Sequence, residues 1–167
     1  MRRAVLLTAL LLSSDVFAGS YPALNPNDGA LLSPEGGMAL LNQCSRGVPH
    51  NITGSWLPTK AQLRELEERL PAALAAEALR RGPAYRQPES IQRQYAGFLL
   101  ANRRIVYVNG FRHGAGDPSP DGPTAAREFD WHRQAVVVCD GGPAFFGTEY
   151  DPERKTFANF QFNGSPQ

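Results

Sequence analysis

The sequence predicts an α+β fold in which one or two N-terminal helices pack on an antiparallel sheet of about five strands, with one disulfide. Leucines recur at helical spacing between residues 59 and 81. Runs rich in β-branched and aromatic residues follow residue 90, and two cysteines lie far apart in the chain. The leucine stripe requires an apolar surface, which one face of the sheet would supply.

The predicted helix begins after Thr59, a good N-cap, and Gln62 completes a capping box. Its apolar stripe comprises Leu63, Leu66, Leu70 and Leu74. Pro71 should kink this helix or start a second one, because proline lacks an N–H and clashes with the preceding turn. Gly82 and Pro83 should end it.

Two strands of the sheet are predicted at 91–100 and 105–111, joined as a hairpin. In the second strand Tyr107 and Phe111 should share one face, with Val106 on the other. Apolar residues on both faces predict a central strand that is covered on both sides.

Three more strands are predicted at 135–139, 144–150 and 156–162, a region with five of the nine phenylalanines. The turn at 140–143 contains two glycines that can adopt positive φ, and the turn at 151–155 starts with an Asp-Pro pair. The aspartates of both turns are expected to cap their own backbone.

Residues 1–18 have the features of a secretory signal peptide: a basic start, a short apolar run and small residues before a cleavage point between Ala18 and Gly19. The run is shorter than the roughly 20 residues that span a bilayer, so no membrane span is expected. Residues 19–49 are expected to form an extended, poorly ordered arm before an α+β domain at 50–167. The bias toward arginine over lysine favours a bacterial, periplasmic or secreted protein.

Cys44 and Cys139 should form a disulfide in an oxidising compartment. Neither cysteine has a second ligand residue at metal-binding spacing, so we expect no metal and no cofactor. Removal of residues 1–18 leaves equal numbers of basic and acidic residues. This balance disfavours nucleic acid as a partner.

A long connection at 112–133, rich in Gly, Pro and Asp, is the main place where an active site could form. Arg112, His113 and His132 lie at its ends, and either Asp117 or Asp130 could join them. Glu149 is a further catalytic candidate, although its place in a strand favours a solvent-facing role. No catalytic constellation is recognised, so we expect a protein that is not an enzyme.

Aromatic residues offer the alternative, a binding surface. Phe145 and Phe157 should point away from Phe146, Phe160 and Phe162 if side chains alternate. One group should meet the helix, and the other should be covered by the N-terminal arm or form an exposed patch; arm coverage is favoured. The predicted binding residues are Tyr107, Phe111, Arg112, Trp131, Phe145 and Phe157.

These observations favour an exported, soluble, non-catalytic binding module of the bacterial envelope: an inhibitor, an immunity protein or an accessory protein. Its partner would be another envelope or extracellular protein. The alternative is a small envelope hydrolase with a site around the 112–133 loop.

Overall fold

The computed structural model describes residues 28–87, 90–101, 103–115 and 129–164. Within these ranges the chain forms two α-helices, α1 (Pro34–Ala39) and α2 (Lys60–Arg81), and six strands. The strands are β1 (Gly29–Leu31), β2 (Ile52–Trp56), β3 (Ile91–Leu100), β4 (Arg103–Arg112), β5 (Phe146–Asp151) and β6 (Thr156–Phe162). The α+β class is confirmed, with more strands than expected. Of the helices described, none is long and apolar enough to cross a membrane.

Helix α2 begins and ends where the sequence predicts. The Thr59 hydroxyl accepts the Gln62 backbone N–H at 3.3 Å, and the Gln62 side chain accepts the Thr59 N–H at 2.9 Å. Gly82, with a φ of 111°, closes the last turn by donating to the carbonyl of Ala78. Pro71 starts no second helix, because α2 continues through residue 71. The proline ring is buried.

The strand order is β1-β3-β4-β5-β6, and β2 pairs with the C-terminal half of β3 beside β1. All pairs are antiparallel except β1–β3. The hairpin β3–β4 is longer than predicted and is paired from Ile91↔Arg112 to Leu100↔Arg103. β6 is the last strand in this order, so it forms an edge of the described sheet.

Helix α2 covers one face of the sheet, which we call the helix face. Its leucine stripe packs there, as predicted. The buried members of this core are Leu66, Leu70, Leu74, Ile91, Tyr95, Val106, Val108, Phe146, Tyr150 and Phe162. Full burial of each large apolar side chain contributes roughly 1.5–3 kcal/mol relative to exposure.

The opposite face, which we call the arm face, is covered by the N-terminal segment 28–49 and by residues 131–138. From the N-terminal side, Leu32 and Leu40 pack on Phe98 and Ile105. Part of the predicted arm is therefore folded, since 28–49 includes β1 and α1, while 19–27 lies outside the described residues. This packing confirms that the arm covers the second face.

The strand predicted at 135–139 is wrong: this segment lies across the arm face without joining the sheet. Val136 is buried, whereas Val137 is exposed, so the β-branched residues still alternate. The backbone of Val136 bonds to side chains instead of a neighbouring strand: its N–H donates to Gln94 Oε1 at 2.9 Å and its carbonyl accepts from Asn109 Nδ2 at 3.0 Å. Side-chain amides thus satisfy the polar groups that a strand partner would have satisfied.

The predicted disulfide, Cys44–Cys139, is confirmed, with Cα atoms 5.4 Å apart. It joins the two segments that cover the arm face. In the chain-entropy model a bond across 95 residues stabilises the fold by up to about 4–5 kcal/mol.

A β-bulge interrupts the β5–β6 pair between Gly147 and Glu149. Asn159, with a φ of 54°, lies in the extra length of β6. As a result Phe157 packs on Tyr150 and on Phe160, so it shares the helix face. The prediction that Phe157 points away from Phe146, Phe160 and Phe162 is therefore wrong, because it assumed unbroken alternation.

The two predicted turns are present with altered details. Asp151 caps its own turn, since its Oδ1 accepts the N–H groups of Glu153 and Arg154 at 2.9 Å each. Asp140 instead donates its N–H to Ser45 Oγ at 3.1 Å and itself has a positive φ. Of the two glycines in that turn, only Gly142 has a positive φ.

Candidate functional site

The histidine candidates lie in local turns on the surface. His132 is exposed, its ring stacks on Trp131, and its Nδ1 lies 3.1 Å from Asp130 Oδ1. The backbone N–H of His132 bonds the same carboxylate and lowers the pKa of Asp130. This arrangement is a turn closed by an aspartate.

His113 lies in the turn after β4, beside the exposed Arg112. Among the described residues, no hydrogen bond or ion pair joins His113 to His132 or Asp130, and no cluster of three metal-ligating side chains occurs. Asp117 lies outside the described residues. The hydrolase hypothesis thus stays a prediction.

Four of the predicted binding aromatics belong to the core of the arm face: Tyr107, Phe111, Trp131 and Phe145. The rings of Phe111 and Trp131 meet edge to face, with centroids 5.8 Å apart. Their burial gives them a packing role and argues against direct contact with a partner. Arg112 is exposed and Phe157 is half-buried.

Glu149 lies on the arm face and is only 6% exposed, so the expected solvent-facing position is wrong. Its Oε2 accepts from Arg103 Nη2 at 2.9 Å, and its Oε1 accepts from Asn159 Nδ2 at 2.9 Å. The bulge brings Asn159 beside this carboxylate. The charge of Glu149 is therefore balanced within the protein.

Glu149 lines a cavity of about 210 Å³ between the arm and the sheet, which we call the arm pocket. The pocket is bounded by Gly47, Val48, Pro49, His50, Tyr107, Glu149, Asn159 and Gln161. Most of its side chains are polar and uncharged, and the Val48 and Pro49 side chains add an apolar wall.

Arg46 lies next to the arm pocket and ties the arm to the sheet. It is 8% exposed. Its guanidinium donates to Asn163 Oδ1 at 2.8 Å, to Tyr107 Oη at 3.4 Å and to Asn109 Oδ1. These acceptors are all neutral, and within the described residues no carboxylate lies within ion-pair distance of Arg46. A buried hydrogen-bond network of this kind fixes one arrangement of its side chains when every polar group in it is bonded.

A second concavity, the edge groove, lies between α2 and β6. Its volume is about 640 Å³. The walls are Ala73, Ala76, Glu77, Arg80 and Arg81 of α2, and Thr156, Phe157, Ala158, Asn159 and Phe160 of β6. Small residues on the helix and half-buried rings on the strand make its floor apolar.

The rim of the edge groove is charged and ordered. Arg80 forms a bidentate pair with Glu77, at 2.6 and 2.7 Å, which lowers the pKa of that carboxyl. Arg81 donates to the Phe160 carbonyl at 3.0 Å and lies over the Phe162 ring at 5.1 Å. Two arginines against one glutamate leave the rim with one positive charge.

The sequence pointed to neither concavity. The arm pocket depends on a bulge and on contacts between distant segments. The edge groove had a partial signal, because Ala73 and Ala76 lie three residues apart on the predicted helix. Comparisons of the chain with protein-family models, curated proteins and solved structures found no match.

Proposed function

We propose that the chain is an exported, non-catalytic binding module whose partner, another envelope or extracellular protein, docks in the edge groove. The observation that carries this proposal is the groove itself: partly exposed Phe157 and Phe160 lie on an edge strand beside a helix wall of small residues. An edge strand next to an apolar groove is a common place for an extended peptide to bind.

The groove defines the chemistry of the occupant. An apolar side chain would fit between the alanines of α2 and the phenylalanines of β6. An acidic group would complement the excess positive charge at Arg80, which is the more exposed arginine of the rim. The occupant is thus an extended segment of a partner protein that carries an apolar residue near a carboxylate.

Two features limit where that segment can lie. The bulge at Asn159 breaks the edge of β6, and the Phe160 carbonyl already accepts from Arg81. The segment would therefore run beside the first half of β6, near Thr156 and Ala158. A short contact of this kind suits an inhibitor, immunity or accessory protein with a reversible interaction.

Export is supported by the signal-like residues 1–18 and by the Cys44–Cys139 disulfide, since such bonds persist in oxidising compartments. Intact-mass measurement of the chain secreted by a bacterial host tests this part. We expect a mature chain that begins at Gly19. A product that keeps Met1 and stays in the cytoplasm would contradict export.

Docking is tested by selecting displayed peptides against the exported chain. The enriched peptides should combine an apolar residue with Asp or Glu. The Ala76→Trp variant should abolish their binding because the indole fills the groove, whereas Arg80→Glu should weaken acidic peptides selectively. The matched control is Ala61→Trp, at another exposed alanine of α2 that lies outside the groove.

Peptide binding that survives Ala76→Trp would contradict docking in the groove. Self-association that Ala76→Trp removes would also count against the proposal, since the occupant would then be a second copy of the chain.

A further inference from the structure

We propose that the arm pocket binds one neutral, polyhydroxylated ring, such as a single saccharide unit. The arm pocket and the edge groove share Asn159 and otherwise have different lining residues, so sugar binding and peptide docking are tested separately. The inference depends on the size of the pocket, on unused hydrogen-bonding capacity within it and on the balance of its charges.

The volume restricts the ligand to a small molecule. About 210 Å³ equals the space of about seven water molecules at roughly 30 Å³ each. Pockets for drug-sized ligands span about 300–1,000 Å³. One sugar-sized ring with its hydroxyl groups is therefore a suitable occupant, and a peptide or nucleotide is too large.

Tyr107 supplies a buried donor without an acceptor. Its side chain is 2% exposed, and its oxygen accepts from the Arg46 guanidinium. Because a guanidinium can only donate, the phenolic proton needs another acceptor, and within the described residues none bonds it. Gly147 makes room for this hydroxyl, since a Cβ there would overlap it. A ligand oxygen in the pocket would satisfy the proton.

The other polar side chains offer complementary groups. Each Glu149 oxygen accepts one hydrogen bond in the protein and can accept a second. Asn159 uses its amide nitrogen on Glu149, and within the described part of the chain nothing donates to its Oδ1. Gln161 lines the same wall. Such a set of donors and acceptors suits hydroxyl groups, which both donate and accept.

The charges exclude ionic ligands. Arg103 neutralises Glu149, so a cation gains little there. An anion gains little as well, because within the described residues the pocket offers it no free cation: Arg103 is paired with Glu149, and the Arg46 guanidinium is engaged by three neutral acceptors. The apolar side chains of Val48 and Pro49 could contact the C–H face of a ring. A neutral polyol fits each of these conditions.

The backbone supports a binding role as well. Asn159 has the left-handed conformation, at a bulge that places its amide beside Glu149. Bulges and positive φ at residues other than glycine concentrate near functional sites, where they aim a side chain.

The test is NMR titration of the full exported chain with glucose, galactose, mannose and N-acetylglucosamine, and with chitotriose as a polymer fragment. We expect saturable shifts of the amides of Gly47, Val48, His50, Glu149 and Gln161 with at least one sugar. Tighter binding of chitotriose than of its monomer would identify a glycan as the source, and the reverse order would identify a free monosaccharide. Absence of saturable shifts at these residues with all five probes would overturn the proposal.

Two tyrosine variants separate binding from folding. Tyr107→Phe removes only the hydroxyl and should weaken sugar binding about tenfold. Tyr150→Phe removes a buried hydroxyl on the helix face and should leave the affinity unchanged. If Tyr107→Phe alters the fold, Asn159→Gly gives a second readout, because glycine keeps the positive φ and loses only the carboxamide. Full affinity in both Tyr107→Phe and Asn159→Gly would also overturn the proposal.

Discussion

The helix face and the arm face of the sheet use different chemistry to bury the same central strands. Under α2, leucines pack on Val106, Val108 and Phe146 with few polar contacts. The main exception is Glu67, which accepts from Tyr95 at 2.6 Å and from Arg93 at 2.8 Å. On the arm face, by contrast, the side-chain amides of Gln94 and Asn109 bond the backbone of the covering segment at residues 131–136.

Gln94 illustrates the difference. Its amide nitrogen donates to the carbonyls of Trp131 and Gln134, at 2.5 and 2.7 Å, and its oxygen accepts the N–H of Val136. A helix satisfies its own backbone, so the sheet beneath it can be apolar. An irregular segment leaves buried N–H and C=O groups, and the sheet must supply partners for them. The type of covering element thus decides which residues the sheet needs.

Removal of the disulfide is the first test of this difference between the helix face and the arm face. Replacement of both Cys44 and Cys139 with serine should reduce the free energy of unfolding by up to about 4–5 kcal/mol, because the bond closes a long loop. Urea denaturation measures the loss. Hydrogen exchange should show protection lost at the arm residues 28–49 more than in α2. Equal loss in both regions would contradict the separate anchoring of the arm.

Substitution of Gln94 with leucine tests the polar character of the arm face. Although the change adds apolar surface, it removes the side-chain partner of three backbone groups, two of them in buried hydrogen bonds. We expect a loss of about 3 kcal/mol in urea denaturation. Gln161→Leu, at an exposed glutamine of β6, is the control and should change stability by less than about 0.5 kcal/mol. A neutral Gln94→Leu would mean that apolar packing alone holds this face.

Tyr150→Phe tests the opposite expectation on the helix face. Within the described residues, the Tyr150 hydroxyl is buried without a hydrogen-bond partner. Its removal should raise the free energy of unfolding by about 1 kcal/mol, because an unsatisfied buried group is costly. A higher midpoint in urea would agree, and a clear loss of stability would show that this face depends on a polar contact.

The smallest expected effect is a dependence of the stability on pH, and it comes from Asp151. Burial raises the pKa of Asp151, but the backbone N–H groups of Arg154 and Glu153 and the Arg154 guanidinium outweigh it, so the pKa lies below its ordinary value of 3.8. A lowered folded pKa gives stability that is present above the unfolded value and is lost as the pH falls through the folded one. Asp151→Asn should therefore lose less stability than the parent chain on acidification below pH 3.8. Parallel curves of stability against pH for Asp151→Asn and the parent chain would contradict this expectation.

The sequence predicts the elements that depend on neighbouring residues. The capping box of Thr59 and Gln62, the β3–β4 hairpin and the boundaries of β6 are all local, because their signals lie within a few residues. The disulfide followed from there being only two cysteines.

The remaining features depend on contacts between distant residues. The run at 135–139 has β-branched residues like a strand, but whether it pairs depends on Gln94 and Asn109, which reach it from the sheet. The bulge at Asn159 has no clear local signal, and it reverses the predicted side of Phe157. Both concavities combine walls from elements far apart in the chain, so the sequence could not place them.

The most direct test of the account is to map a selected peptide on the isotope-labelled chain by NMR. We predict that amide shifts concentrate in residues 73–81 of α2 and 156–160 of β6, and that Ala76→Trp removes them while Ala61→Trp keeps them. Shifts centred on the arm face, with no change in the edge groove, would contradict the claim that the chain docks its partner between α2 and β6.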